Sequence, residues 1–584
     1  MKLLLTTLNA KFIHTSLAIR YLHAVATEIV DCEIKEFTIN HTVNTIVNSI
    51  LLNEFDLIGF STYIWNAEET FKVASTIKKA RPDVKIIFGG PEISYDVKEQ
   101  MQKYPFIDFV ISGEGEEVLK EFLYKIKNGV EVFNIQGLSQ RLGEKLFIND
   151  QLRIVENLNI IPSPYKIEFE KLGRENFSRA YKNKIVYYEG ARGCPFNCKF
   201  CLSSTIKKLR YFSLDRIKND LSILINAGVS QVKFIDRTFN ANKNHFCEII
   251  KYIIENDNGN INFHFELVAS LISDEMLELF SKVRKGLFQF EIGVQSTNEK
   301  TLIEVGRNSD FDKIKKTCKE IVSFGNIHQH LDLIAGLPFE TYKRFGKSFD
   351  DLYEVGVEKI QLGFLKLLRG SALRENSEKY GYKYTDYPPY EIIANDYLSY
   401  KEIIKLKEIE DLSEKYLNEN NFKYTLDYVI KKIGSAFEFF EKLSEYWEGK
   451  NYFELAHSKA SLYVMLYDFL QIDFSNDKYI TSLLRLDFFL NNINTKTPNV
   501  LMRDDKFSYH TMHKIISELL ETSALKTKSS VKEIMKSASI KTFNPKLKEK
   551  DFSGEYLLFY YDRKKGKKFV FDVSEKMENE RVIT

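Results

Sequence analysis

Three of the six cysteines, Cys194, Cys198 and Cys201, crowd into one short segment, GARGCPFNCKFC (190–201). Their C-x3-C-x2-C spacing, with Gly193 before it and Pro195 within it, lets a single tight loop wrap three thiolates around a small inorganic centre. A structural zinc takes four protein ligands, and neither a fourth cysteine nor a histidine lies nearby in the sequence. A cubane iron–sulfur cluster also normally takes four thiolates, so three would leave one iron open to chelate a substrate or cosubstrate. Chance clustering in a buried loop is the plain alternative, and so specific a spacing argues against it. Cys32, Cys247 and Cys318 stand alone and read as buried thiols, so the chain has no disulfide framework.

Two sets of alternating elements must position these residues. The cysteine segment directly follows the apolar run KIVYYEG (184–190). Five further strand-like runs succeed it: QVKFID (231–236), INFHFELVAS (261–270), LFQFEIGVQS (287–296), HQHLDLIAGLP (328–338) and KIQLGFLKL (359–367). Helix-length stretches separate them, which predicts a partial (β/α)6 TIM-like barrel over 184–384 with its site at the carboxyl ends of the strands. Residues 1–130 alternate in the same way through KLLLTTL, CEIKEFTI, DLIGFSTYI, VKIIFGG and FIDFVISG. Near-continuous apolar strands imply a sheet covered on both faces, hence a parallel, doubly wound, flavodoxin-like (Rossmann-type) domain. Its strand ends carry Asn9, Ser61, Thr62, Gly89, Gly90, Gly113, Glu114 and Gly115, where glycine lets backbone approach a sizeable ligand. For any one glycine an ordinary turn is the better reading; three clustered sets on one rim favour a ligand. Residues 131–183 read as a linker, and 385–584 as a mainly helical C-terminal domain with one late strand-like run, YLLFYY.

The cysteine loop, with an aromatic (Phe200) just before its last cysteine and at the first turn of a βα array, resembles the radical S-adenosylmethionine (SAM) superfamily. That resemblance implies a [4Fe–4S] cluster on Cys194, Cys198 and Cys201, with SAM chelating the open iron and being cleaved to a 5′-deoxyadenosyl radical. FIDRTFN (234–240) resembles the acidic second-strand segment of that family, which would aim Asp236 and Asn240 at the mouth. EIGVQS (291–296) resembles the fourth-strand motif that holds the SAM ribose and methionyl group, implying Glu291, Gln295 and Ser296. DLIAGLPFET (332–341) resembles the segment beside the adenine, implying Ile334, Gly336 and Glu340, although the acid lies one residue further from the glycine than is usual. For each acid alone, a solvated residue at a helix start is the competing reading.

A flavodoxin-like domain ahead of such a barrel resembles the cobalamin-binding members of the superfamily, and the C-terminal region resembles the DUF4080 type. The resemblance implies cobalamin on the rim formed by Asn9, Ser61, Thr62, Gly89, Gly90, Gly113, Glu114 and Gly115. Cobalamin-binding mutases carry Asp-x-His-x-x-Gly after the first strand; here His14 is present, but Phe12 replaces the aspartate and Leu17 the glycine. A ligating imidazole needs a carboxylate to orient it, so His14 is expected not to bind cobalt. The implied activity is methylation of an unactivated carbon through methylcobalamin and a 5′-deoxyadenosyl radical. Cyclisation or rearrangement without methyl transfer is the alternative. A non-catalytic cobalamin or SAM sensor is the alternative of another class, and intact cluster ligands argue against it. Methylthiolation would need a second cluster, for which the N-terminal domain offers Cys32 alone. No residue is assigned a catalytic role from the sequence.

The 83 basic and 81 acidic residues among 584 leave a net charge of +2, which speaks against a stable nucleic-acid complex held by bulk basicity. No secretory signal or apolar run of membrane-spanning length is apparent, so the expected location is cytoplasmic, without a membrane partner. The resemblance further implies a small-molecule or peptide substrate and a flavodoxin- or ferredoxin-type electron donor.

Overall fold

Alternate residues of the first strand, β1 (Lys2–Asn9), enter two different cores: Leu4 and Leu8 pack on one face of the sheet, Leu3 and Leu5 on the other. Burial on both faces is what near-continuous apolar runs dictate, and it recurs through β2 (Asp31–Thr38), β3 (Leu57–Ser61), β4 (Lys85–Gly89) and β5 (Phe109–Ile111). These five strands are parallel, in the order β2-β1-β3-β4-β5. Their topological switch point lies between β1 and β3. Residues beyond 131 extend this sheet: β6 (Leu138–Leu142) and β7 (Lys145–Phe147) add an antiparallel hairpin at the β5 edge. The computed structural model describes residues 1–581 except 207, 493, 494, 526, 528, 564 and 565.

The second sheet has six strands paired in chain order, all parallel: β8 (Ile185–Tyr188), β9 (Gln231–Phe234), β10 (Asn262–Leu267), β11 (Phe288–Gln295), β12 (His328–Ala335) and β13 (Lys359–Phe364). Consecutive pairing through crossover helices makes this a partial barrel. The two faces differ sharply. Phe263, Phe265 and Leu267 of β10, Phe288, Phe290 and Ile292 of β11, and Leu331 and Leu333 of β12 are buried towards the helices. The residues between them face the lumen and are polar: Lys233, His264, Glu266, Gln289, Glu291, His330 and Asp332.

The chain divides into two compact units, Met1–Ile403 and Ile404–Thr584. The second is helical except for an antiparallel sheet of β14 (Ala538–Lys548), β15 (Ser553–Asp562) and β16 (Lys567–Asp572), in which YLLFYY is the central strand. Among the described residues no helix is long and apolar enough to cross a membrane.

Candidate functional site

The cysteine loop leaves β8 and is held at both ends by backbone. Gly193 has φ +94°, and a Cβ there would stand 2.3 Å from the Lys208 carbonyl, so only glycine lets the loop cross this neighbouring segment. Further on, Lys199 N–H donates to Val305 O (2.9 Å) and Leu373 N–H to Lys199 O (3.0 Å). Gly306, at φ +70°, brings the 305–307 segment against the loop: a Cβ there would meet Asn197 O at 2.6 Å. That close approach delivers Arg307, whose Nη1 lies 3.8 Å from Cys198 Sγ while Nη2 donates to the Gly293 carbonyl. Burial pushes the Cys198 thiol pKa up and the neighbouring thiols Cys201 and Cys194 add to this, with Arg307 opposing both. Three thiols within electrostatic reach of one another, beside a guanidinium that favours their thiolate forms, fit an anionic cluster. By contrast Cys32, Cys247 and Cys318 are buried and apart, and burial drives the Cys32 and Cys318 thiols up to about 12.

Arg307 also opens onto a cleft lined by Phe196, Val268, Ser270, Gly293, Asn308 and Ser309. In this cleft Arg307 Nε and Ser309 Oγ are buried without a hydrogen-bond partner, as is Gln295 Oε1, whose amide lies next to Gly293. An orphaned donor, acceptor and hydroxyl are costly unless a ligand satisfies them. They suit the carboxylate, ammonium and ribose hydroxyls of SAM, so Arg307, Gln295 and Ser309 are the residues that would hold it. Gln295 carries φ +72°, which folds its amide back over the bare backbone of Gly293. Phe196 lines the cleft, whereas Phe200 is half-buried further along the loop.

Other residues expected to contact SAM have partners within the protein. Asp236 is 3% exposed and accepts the Gly190 N–H (2.8 Å) at the base of the cysteine loop. Asn240 exchanges two hydrogen bonds with the Val268 backbone. Ser296 and Glu340 are fully enclosed by protein: Glu340 Oε1 accepts from Ser348 Oγ (2.8 Å) on the helix Tyr342–Tyr353, while its Oε2 is buried without a hydrogen-bond partner. The Gly336 carbonyl accepts from Tyr382 Oη and Asn395 Nδ2, both at 2.9 Å. Ile334 faces the lumen. Glu291 also lies in the lumen, 3.0 Å from both Lys233 Nζ and His264 Nε2, and these partners pull its pKa down to about 2. It is an ion-paired residue of the lumen wall.

On the flavodoxin-like domain, the space next to three of the expected glycines is filled by the chain itself. A Cβ at Gly90 would strike the Thr62 backbone, at Gly113 the Leu152 side chain and at Gly115 that of Leu22. Asn9 Nδ2 donates to His14 O and Glu36, and Thr62 Oγ1 to Gly89 O, so both side chains brace their own rim. Ser61 is nearly buried, its carbonyl accepting from Thr7 and Asn66. Glu114 is paired with Arg210 at 2.5 Å. The loops after β1 and β3 add exposed apolar residues: Phe12, Ile13 and Trp65 are exposed, and Trp65 stacks on Tyr63 with ring centroids 4.3 Å apart. Exposed apolar side chains at the crevice of a switch point suit a large macrocycle. Alternation of polar and apolar residues gives no hint of these four, since they lie in loops.

The carboxyl rims of the two sheets face one another. Arg192, just before the first cysteine, pairs with Glu116 (2.6 Å) and with Glu189 (2.9 Å). Arg369 beyond β13 pairs with Asp96 (3.0 Å). Tyr63, beside the crevice, feels the charges of Arg237 and Glu189 at the barrel mouth. His14 lies 2.7 Å from the Tyr187 hydroxyl through Nδ1, and Ile185 N–H donates to Ile13 O, so this loop is anchored on β8.

Family comparisons agree with this architecture. Residues 3–123 match the B12 binding domain, 188–352 the radical SAM superfamily and 378–559 a protein family of unknown function, DUF4080. The cobalamin-dependent radical SAM methyltransferase TokK of Streptomyces tokunonensis is 26% identical over 344 residues, 56% of this chain and 50% of TokK. The anaerobic magnesium-protoporphyrin IX monomethyl ester cyclase of Synechocystis is 23% identical over 242 residues, 40% of this chain and 46% of the cyclase. The chain thus spans about half the length of these curated relatives. Among solved structures, the cobalamin-dependent SAM radical enzyme OxsB with aqua-cobalamin and SAM shares the fold: TM-score 0.58, 14% identity, 91% of this chain and 82% of OxsB. The chain thus carries, in this order, a B12 binding domain, a radical SAM domain and a DUF4080 region, and the cofactors of such domains are cobalamin, a [4Fe–4S] cluster and SAM.

Proposed function

We propose that the protein is a cobalamin-dependent methyltransferase that acts on an unactivated carbon of a small-molecule or peptide substrate. The observation that carries this reading is the pairing of the two carboxyl rims: Arg192, just before the cysteine loop, bonds Glu116, just beyond β5 of the flavodoxin-like domain. When bound there, the cluster supplies the electron that splits SAM and the corrin carries the methyl group. Cys194, Cys198 and Cys201 hold the cluster. Arg307, Gln295 and Ser309 orient SAM against it, and Asp236 keeps the loop in place through Gly190. The polar lumen below receives the substrate and excludes bulk water. A flavodoxin- or ferredoxin-type protein is the electron donor that this chemistry calls for.

The test begins with an ultraviolet–visible titration of the anaerobic, cluster-reconstituted protein with hydroxocobalamin, for which stoichiometric binding is expected. Product analysis follows. S-adenosylhomocysteine and 5′-deoxyadenosine in similar amounts, with a product heavier by one methylene, support methyl transfer. 5′-Deoxyadenosine without S-adenosylhomocysteine would favour cyclisation or rearrangement, the second reading, which the similarity to the magnesium-protoporphyrin cyclase supports.

A further inference from the structure

The two edges of the antiparallel sheet in the C-terminal unit differ. Along β14, backbone groups that the ladder does not use are taken up by side chains. Thr542 N–H donates to Asp505 (3.1 Å), and Thr542 O accepts from Arg485 Nε (3.0 Å). Pro545 O accepts from Ser482 Oγ (2.9 Å), and Lys548 N–H donates to Tyr479 Oη (2.9 Å). β16 has no such cover. Val573 N–H donates to Tyr556 O (2.9 Å), which sets the phase of the β15/β16 ladder. Phe569 and Phe571 therefore bond inward to β15, while Lys568, Val570 and Asp572 turn their N–H and C=O groups outward. Among the described residues nothing bonds these outward groups. An uncovered sheet edge is a template for a further strand.

The edge reads Lys568-Phe569-Val570-Phe571-Asp572, which is its own complement about Val570. Only outward residues can pair directly, and this limits the registers open to a second antiparallel copy. Centred on Val570, Lys568 of each copy meets Asp572 of the other. Phe569 then meets Phe571 at the positions without hydrogen bonds, where side chains approach most closely. Centring on Phe569 or on Phe571 instead sets Lys568 or Asp572 opposite valine and leaves the charge unmatched. Both charges are open to such a match. Lys568 is half-buried; its Nζ donates to the carbonyls of Phe489 (3.1 Å) and Leu490, and no carboxylate pairs with it among the described residues. An ammonium has three protons, so one remains for a carboxylate. Asp572 is exposed and accepts from the Ser574 (2.6 Å) and Ser553 (3.4 Å) hydroxyls, with no cation paired to it among the described residues. The strand is also braced from both sides: Phe569 and Phe571 pack on one core cluster of the unit and Val570 on another. Lysine on a sheet edge ordinarily deters pairing. Here an aspartate stands where the antiparallel register requires one.

We infer that a second copy of this chain docks on β16, antiparallel and centred on Val570, so that the two C-terminal sheets join into one across a two-fold axis. The inference is independent of the cofactor chemistry. Sedimentation velocity of the full-length protein is expected to show a dimer at about 50 µM, above the micromolar range of a small interface. Val570→Pro removes an outward N–H that β15 does not use. It is expected to weaken dimerisation at least about tenfold while circular dichroism stays unchanged. In Val570→Cys the two substituted positions face each other within reach of a disulfide. Mild oxidation is expected to link two chains there, as peptide mass spectrometry reads, and the unaltered protein treated alike gives the background from its own thiols. A monomer at that concentration would overturn the inference and leave the edge to a strand of a different protein. A dimer undiminished in folded Val570→Pro, or one that forms no link in Val570→Cys, would place the contact elsewhere and overturn it too. The cross-link decides the matter if Val570→Pro does not fold.

Discussion

Arg307 and Cys198 are in contact, Nη1 to Sγ at 3.8 Å, although they lie on separate loops joined only through the barrel. The guanidinium opposes the rise that burial imposes on the Cys198 pKa, and its Nε remains without a partner beside the cleft. One residue thus touches the cysteine loop and lines the cleft beside it.

Replacing Arg307 by alanine is expected to weaken SAM binding about 10- to 100-fold, the usual worth of a buried charge-assisted hydrogen bond. Calorimetric titration of SAM into reconstituted protein measures it, and Arg307→Lys should recover only part because a point charge cannot fork. Unchanged affinity in Arg307→Ala would remove Arg307 from the SAM site.

Gly306→Ala places a Cβ 2.6 Å from Asn197 O at a residue with φ +70°. The expected cost is about 1–3 kcal/mol of local strain, delivered to the cysteine loop. Iron and sulfide per chain after reconstitution should fall while the flavodoxin-like domain still binds hydroxocobalamin. Full iron loading would show that the loop does not depend on this approach.

Asp332 gives a pH signature. Its folded pKa of about 8 lies above the unfolded value near 4. The folded state therefore holds an extra proton between those limits, and the associated stability is present at low pH and lost as pH rises towards 8. Glu266 and Glu291 face it with negative charge, and Lys233 and Arg307 with positive. Asp332→Asn is expected to melt with the unaltered protein at about pH 4 and to become the more stable of the two as pH rises, by about 1–3 kcal/mol at pH 8.5. A pH-independent difference in melting would contradict the assignment.

His14 is held to Tyr187 through Nδ1, and burial together with Lys11, Lys233 and Lys184 lowers its pKa. His14→Ala should leave the visible spectrum of bound hydroxocobalamin unchanged. Loss of a nitrogen-ligated spectrum on substitution would show that the imidazole leaves Tyr187 for the metal.

The cysteine loop, the six barrel strands and the doubly wound sheet were legible in the sequence because their signals are local. Thiolate spacing lies within one loop, and the alternation of Phe263, Phe265 and Leu267 with His264 and Glu266 assigns a strand two faces without reference to any neighbour. Partnership is not local. Glu291, Glu340, Ser296, Asp236 and Glu114 are polar residues at or near strand ends and read as ligand contacts. Tertiary structure supplies Lys233, Ser348, the Gly190 amide and Arg210, and so turns them into braces. Arg307 and the Phe12–Trp65 crevice were invisible for the converse reason: nothing near them in the chain marks them, and Gly306 and the strand order bring them to the site. The sequence by itself determined which elements form and which cofactor chemistry the loop serves. Only the tertiary structure decided which polar groups satisfy one another and which, like Asp332 Oδ1, are left without a protein partner, because hydrogen bonding and charge pairing in a buried site depend on distances between segments far apart in the chain.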